Sequence, residues 1–270
     1  FARHSDIRAV IHFAALKAVG ESVSKPLEYY FNNLNSLMNV LTCMREFKVP
    51  NLVFSSSCTV YGQADVLPVT EKTPRHEAES PYGNTKVMSE DIIRDLMRVE
   101  PDMKALALRY FNPIGAHPTA FIGELPNGLP NNLIPYLTQT AIGIREQLSV
   151  FGDDYNTPDG SPLRDYIDVV DLAQAHVVAI RRLLDGKNKK NYEFFNIGTG
   201  KALSVLEIIH AFERATGVKV NYKVVGRRAG DIEKVWADTT LANNELGWKA
   251  VTPIEETLAN AWKWQKALDK

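Results

Sequence analysis

Cysteine is nearly absent from this sequence: its 270 residues contain two, Cys43 and Cys58. They stand in unrelated segments without metal-type spacing, which argues against a zinc scaffold and for free thiols in a reducing compartment over a disulfide pair. An excess of one charge is also lacking. Lys and Arg number 31 against 32 Asp and Glu, a formal net charge of -1, so no global field favours nucleic acid or an anionic membrane. No run of about eighteen apolar residues occurs, the length needed to span a bilayer, and no signal peptide is present. Neither nucleic acid nor membrane is expected as a partner, and the cytoplasm is the expected compartment. Repeats, low-complexity tracts and a linker are missing as well.

What is there reads as a globular chain, 45% hydrophobic and 23% charged, enough for one large domain or two intimate ones. Strand-like apolar runs alternate with helical stretches. AVIHFA (9–14) precedes an amphipathic stretch over 26–47, and NLVFSS (51–56) precedes a loop and a helix carrying Tyr82. KALALRYF (104–111) leads through a Gly/Pro/Asn-rich segment to a helical NNLIPYLTQTAIG, a helix over 169–184 and a strand at YEFFNIG (192–198). Strands separated by helical segments of roughly 10–25 residues predict crossover connections and a parallel sheet. After Gly200 the pattern loosens into a helix at VLEIIHAFERATG, a short strand at VNYKVV and a tryptophan-bearing C-terminal helix. The predicted fold is α/β, a doubly wound parallel sheet with a smaller C-terminal α/β domain. The sheet domain would take 1–112, with 166–200 returning to it, and the second domain 113–165 and 201–270. Ligands of such sheets bind beyond the carboxyl ends of the strands. Those ends carry Ala14-Ala15-Leu16-Lys17, Ser55-Ser56-Ser57, Phe111-Asn112-Pro113 and Asn196-Ile197-Gly198.

The stretch SPYGNTK (80–86) bears the chemistry. Proline suits the first turn of a helix, and the VMSEDIIRDLMR that follows reads as its continuation. Tyr82 and Lys86, spaced i and i+4, then share a face. A free tyrosine ionises near pH 10. A cation within about 4–6 Å lowers an acid's pKa by about 1–3 units, which predicts a phenol drawn toward the range of a general base. Ser57, just past a strand end, is placed to hold the same substrate hydroxyl. Together they can remove a proton from an alcohol while a hydride leaves its carbon. A surface helix pair is the competing reading, and the strand ending in three serines favours the catalytic one.

FSSSCTVYG, SPYGNTK, LRYFNPIGAH, PNNLIPY, DYNTPDGSPLRDYIDVVDLA and RRAGD together resemble the UDP-glucose 4-epimerases, a family of extended short-chain dehydrogenases/reductases. The resemblance covers essentially the whole chain. It implies a Rossmann-like sheet, NAD as cofactor, a UDP-hexose as substrate and interconversion of UDP-galactose and UDP-glucose through a 4-keto sugar. Tyr82 would be the base, Lys86 its electrostatic partner and a nicotinamide-ribose contact, and Ser57 the hydroxyl-handling residue. Phe13, Ala14, Lys17, Asn32, Ser55 and Phe111 would complete the cofactor contacts, with Phe111 and Asn112 where cofactor and substrate join. Asn132 and Leu133 would hold the uridine-diphosphate end, with Phe151 against the uracil. Arg164 and Arg228 would grip the diphosphate and Asp231 the ribose, three loop arginines (Arg164, Arg227 and Arg228) being what a diphosphate calls for. Phe151 by itself would be read as core. Val235, where members carry either a large tyrosine or a small residue, is expected to leave room for an N-acetyl group. A homodimer through the long helices over 26–47 and 82–98 is implied in the same way.

Other members of the superfamily compete. Nucleotide-sugar 4,6-dehydratases resemble S-T-D-E-V-Y-G at the matching stretch, where this chain has Cys58 and Thr59 in place of the acidic pair. A uronate epimerase is a further option, against which the segment Asp154-Tyr155 to Tyr166 resembles the neutral-hexose enzymes. A third reading is a chain that is not an enzyme as it stands. The family's G-x-x-G-x-x-G loop has no counterpart in this sequence, GTGK at 198–201 lacking the spacing. Its absence predicts a chain that has lost its start, with weak NAD affinity and little activity alone, because the loop's amides and helix N-terminus hold the pyrophosphate. A pseudoenzyme is disfavoured by the intact Ser57, Tyr82 and Lys86. Ala15, where the family often has glycine, is expected to crowd the cofactor slightly. His12 is expected to be an interior histidine, at least one of Trp262 and Trp264 to be core, and 187–190 to be a solvated loop.

Overall fold

The structure is a computed structural model that describes residues 1–228 and 231–268. Ala229 and Gly230 of the RRAGD stretch, and the last two residues of the expected second domain, lie outside the described residues.

In chain order the first elements are β1 (Ala9–His12), α1 (Val19–Ser24), α2 (Pro26–Glu46), β2 (Asn51–Ser55), α3 (Pro81–Val99), β3 (Lys104–Tyr110) and β4 (Asn112–Ile114). There follow α4 (Leu133–Ala141), β5 (Leu148–Phe151), β6 (Leu163–Arg164), β7 (Tyr166–Asp168), α5 (Val169–Leu184) and β8 (Tyr192–Ile197). The chain continues with β9 (Leu203–Ser204), α6 (Val205–Thr216), β10 (Tyr222–Val225), β11 (Lys234–Val235) and α7 (Ile254–Leu268). Two compact units result. Unit 1 is Phe1–Tyr110, Gln174–Ile197 and Asp238–Trp248; unit 2 is Phe111–Ala173, Gly198–Ala237 and Lys249–Lys270. Compared with the expected division, 111–112, 166–173 and 198–200 cluster with unit 2 and 238–248 with unit 1.

Unit 1 is built on a parallel sheet of order β1-β2-β3-β8. β2 reads NLVFS and is buried throughout, the continuous apolar run of a parallel strand covered on both faces. Register places His12 opposite Phe54, Ser55 opposite Leu108 and Tyr110 opposite Ile197, so the strands finish at one end of the sheet. Leu37, Leu41 and Met44 of α2 and Ile93 and Met97 of α3 pack on Leu52, Phe54, Ala105 and Ala107. α3 begins as its sequence demands: Ser80 Oγ accepts from Gly83 N at 3.1 Å, satisfying one orphan donor, and Pro81 follows. His12 is interior, 5% exposed and stacked on Phe54.

Unit 2 is assembled from small sheets: β4 with β7, β5 with β10, and β11-β6-β9. Its core gathers Ile134 and Leu137 of α4, Leu148 and Val150 of β5, Ile208, Ile209 and Phe212 of α6 and Leu258 of α7. Trp262 packs edge-on against Phe212, with ring centres 5.7 Å apart, while Trp264 donates its indole N–H to Glu124 O at 3.0 Å. The helix α6 carries a complete capping box between Ser204 and Glu207.

Candidate active site

The carboxyl end of β2 turns through Ser56 and Ser57 into a single 3-10 turn, Cys58–Tyr61, with Ser57 as its cap accepting from Thr59 N at 3.2 Å. All three serines are buried. Against them lies the first turn and a half of α3. Ser57 acts on the Tyr82 phenol in the direction of ionisation. Lys86 Nζ donates to Ser55 O at 2.8 Å and sits 5.0 Å from the Phe54 ring centre and 5.8 Å from that of Tyr82. Ser55 Oγ makes a short hydrogen bond with the Tyr110 hydroxyl. The i, i+4 spacing therefore does what it promised, and Ser55, Ser57, Tyr82 and Lys86 stand together.

Their protonation differs from the sequence expectation. Burial pushes the Tyr82 phenol above its ordinary value, with Tyr110 adding to the rise and Ser57 opposing it. Burial also lowers the Lys86 ammonium to about 8, against the carboxylate of Glu90. Lys86 is thus no fixed charge, and desolvation outweighs the pull toward ionisation expected for Tyr82.

The other cofactor candidates of unit 1 lie on or beside the loop after β1. Phe13 is 58% exposed with its ring centre 4.6 Å from that of His176, and Ala14, Lys17 and Asn32 are exposed. Asn32 donates to Asn33 Oδ1 at 3.0 Å. The buried Asn33 was not singled out from the sequence, yet it organises this loop. It accepts from Leu16 N at 2.8 Å and donates to Leu16 O and Thr85 Oγ1, both at 3.0 Å, tying loop, α2 and α3 together. Its neighbour Asn32 was the signal available.

In unit 2, Phe111 is buried, and Asn112 opens β4, its N–H donating to Asp165 O at 3.0 Å. Asn132 precedes α4 and donates to Glu124 Oε1 at 2.7 Å, with Leu133 as the first helical residue. Arg164, expected in a loop, is on β6, because Val235 of β11 and Leu203 of β9 pair with it on either side. Phe151 is not core: it is 37% exposed, with the Arg228 guanidinium 5.4 Å from its ring centre. Arg228 is held by Asp231 through bonds of 3.1 and 2.7 Å, and Arg227 by Asp154 at 2.7 Å. Any diphosphate must compete with Asp231 for Arg228. Asp165 is a further residue that sequence reasoning missed. Its carboxylate accepts from Thr199 N and Oγ1 at 2.8 and 2.6 Å and from Gly200 N and Ala237 N at 3.1 Å each. A Cβ on Gly198 would come within 2.5 Å of that carboxylate, which fixes glycine there.

A parallel sheet whose strand end presents serine to a tyrosine and a lysine one helical turn apart is the arrangement of a short-chain dehydrogenase/reductase. A family model described as GDP-mannose 4,6 dehydratase matches residues 1–261. The chain is 51% identical to the UDP-glucose 4-epimerase of Mus musculus over 266 residues, 98% of this chain and 76% of that protein. It is 51% identical to the UDP-glucose 4-epimerase of Bacillus subtilis (strain 168) over 263 residues, 97% of this chain and 76% of that one. Among solved structures it is similar to the UDP-glucose 4-epimerase of Bifidobacterium longum in complex with NAD+ and UDP, with TM-score 0.92 and 47% identity, covering 97% of this chain and 77% of that one. It also superposes on the enzyme of Stenotrophomonas maltophila with bound NAD and formylated UDP-arabinopyranose, with TM-score 0.95 and 47% identity over 99% of this chain and 79% of that one. The chain belongs to the UDP-glucose 4-epimerase family.

Proposed function

We propose that this chain interconverts UDP-galactose and UDP-glucose through a 4-keto sugar, with NAD as its cofactor. The observation that carries this reading is the Ser57–Tyr82–Lys86 group at the end of β2, in a chain half identical to UDP-glucose 4-epimerases. The donors present suit the nicotinamide-ribose end of NAD. Lys86 uses one N–H on Ser55 O, and an ammonium has three to offer, while Lys17 and Asn32 are exposed after β1 and on α2. NAD, when bound, takes up the hydride of sugar carbon 4 and gives it back.

The chain's own part is proton handling and grip. Tyr82 takes the proton of the 4-hydroxyl, with Ser57 holding the same hydroxyl by a hydrogen bond. Burial resists the phenolate, and the Ser57 donor and the Lys86 charge are what favour it. Arg164, Arg228, Asn132 and Leu133 hold the diphosphate end, Phe151 stacks on the uracil and Asp231 takes the ribose. A hold that is firm on the nucleotide and slack on the hexose lets the 4-keto sugar present its other face before it is reduced, so remote binding energy retains a reactive intermediate. Tyr82→Phe is expected to cut interconversion by about 10²–10⁴-fold while UDP binding persists; undiminished turnover in a coupled assay refutes the reading.

Two finer assignments belong to the same proposal. Neither Cys43 nor Cys58 is in a disulfide, which supports a reducing, cytoplasmic setting; a protein recovered with oxidised thiols from an exported fraction would contradict it. Exposed Leu27, Phe31 and Met38 on α2 and Met88 on α3 support a homodimer through these helices. Among the described residues no helix is long and apolar enough to cross a membrane.

A further inference from the structure

One turn beyond Lys86 on α3 lies Glu90, a carboxylate with no exposed surface. Ser56 Oγ donates to its Oε1 at 2.6 Å, Arg109 Nε to the same oxygen at 2.9 Å and Arg109 Nη2 to Oε2 at 2.5 Å, while Arg75 makes a short ion pair with Oε2. Arg109, 2% exposed and the last but one residue of β3, is equally committed. Its Nη1 donates to the Tyr61 hydroxyl at 2.9 Å, which donates on to Asn196 Oδ1 at 2.7 Å, and its guanidinium lies 3.9 Å from the Phe194 ring centre. A buried ion pair gives no better stability than an apolar pair of similar volume, so packing alone does not account for this set. It reaches the reacting groups at two points. Ser56 sits between Ser55, whose carbonyl receives Lys86, and Ser57, which acts on Tyr82. Glu90 is also a charged neighbour of Lys86 on the same helix.

We propose that Glu90 is a positioning residue of the epimerase reaction: locked by Arg109, it pins Ser56 and so the Ser55–Ser57 run, and its carboxylate sustains the buried Lys86 ammonium. This rests on the reading of Ser57, Tyr82 and Lys86 given above. The titratable groups around Lys86 are His12 of β1, held toward its neutral form by burial and by Lys86 itself, and Tyr82 and Glu90 of α3; Tyr110 of β3, raised by burial, and Cys58 act on Tyr82. Tyr29 of α2 acts on Tyr82, Ser55 of β2 offers a carbonyl, and Arg109 is taken up by Glu90. Of these groups Glu90 is the one that is negative near neutral pH.

The test is the Lys86 titration, followed by NMR of the full chain carrying 13C-labelled lysine, with Lys86→Met identifying the resonance. In Glu90→Gln the Lys86 midpoint should fall by about one pH unit or more. Turnover should fall by about twofold at pH 7 and by nearly tenfold above about pH 9, as a midpoint moved from about 8 to about 7 implies, and partly recover on acidification, with a smaller change in KM. Where Glu90→Gln leaves Arg109 unpaired and does not fold, the double variant Glu90→Gln with Arg109→Gln is neutral on both sides and answers the same question. An unchanged Lys86 midpoint in either folded variant overturns the proposal. If Tyr82→Phe is inactive while Glu90→Gln titrates and turns over as the parent chain does, the Glu90 assignment alone fails; if Tyr82→Phe stays active, the underlying reading fails first.

Discussion

Val235 is the single side chain expected to decide which sugars fit. It is 6% exposed on β11, directly opposite Arg164 on β6, a residue assigned to the diphosphate grip. A valine is smaller than a tyrosine, so on the proposed reading the chain is expected to interconvert UDP-GlcNAc and UDP-GalNAc as well as the simple hexoses. Val235→Tyr should lower kcat/KM for the acetylated sugars relative to UDP-galactose by about 10-fold or more, since pocket discrimination of small groups spans about 10–200-fold. Retained UDP-galactose turnover is the control for overpacking, and an unchanged ratio between the two sugars refutes the assignment. At this scale the sequence is legible where chemistry follows local spacing. Tyr82 and Lys86 could be read because four residues make one helical face. Glu90 and Arg109 could not, although an arginine inside the apolar run KALALRY is itself a signal. Their meaning depends on a strand and a helix meeting, which spacing does not record.

At the scale of elements, long periodic segments declared themselves and short ones did not. α2 and α3 lie within one or two residues of where periodicity placed them, because 3.6-residue spacing of Leu37, Leu41 and Met44, or Ile93 and Met97, serves a single buried face. β6, β9 and β11 are two residues each and exist through pairing with distant segments, so nothing local announces them. What periodicity leaves over is as informative as what it buries. Leu27 and Phe31, four apart on α2, are 80% and 76% exposed, and Met38 continues their side of the helix. Scattered exposed apolar residues are ordinary, but a stripe is the mark of an interface. Replacing Leu27 and Phe31 together by glutamate is therefore expected to yield a monomer in sedimentation velocity, with α-helical content unchanged. A parent chain already monomeric, or a dimer indifferent to both charges, removes the case for pairing through α2.

Across the whole molecule, buried ionisable groups set how stability changes with pH. Lys86 titrates near 8 in the folded chain against about 10.4 in an unfolded one, so between those values the unfolded chain binds more protons and stability rises with pH. The span of roughly 2.4 units corresponds to about 3 kcal/mol at most, at about 1.36 kcal/mol per unit. Tyrosines act in the opposite sense. Burial raises Tyr61 and Tyr166 to about 12 and Tyr82 further. From about pH 10 the unfolded chain therefore loses phenolic protons that the fold retains, and stability falls as pH rises through the folded values. Acid brings a third regime. Glu90 is lowered by Arg109, so its contribution, present above the ordinary carboxylate value, is lost as pH falls through its folded one. His12, buried toward neutrality, likewise loses stability below its unfolded value. Glu71 and Asp165, raised by burial, work against both. The thermal midpoint should thus climb from about pH 8 toward 10 and turn over above it. Lys86→Met should flatten the climb and leave the alkaline fall in place, because it removes the one buried ammonium among the described residues and none of the phenols. A flat profile between those values in the parent chain, or an equal climb in the variant, would mean that Lys86 keeps its proton through folding at no cost. The same ammonium, proposed as the partner of Tyr82, would then be far better hydrated than its 5% exposure allows.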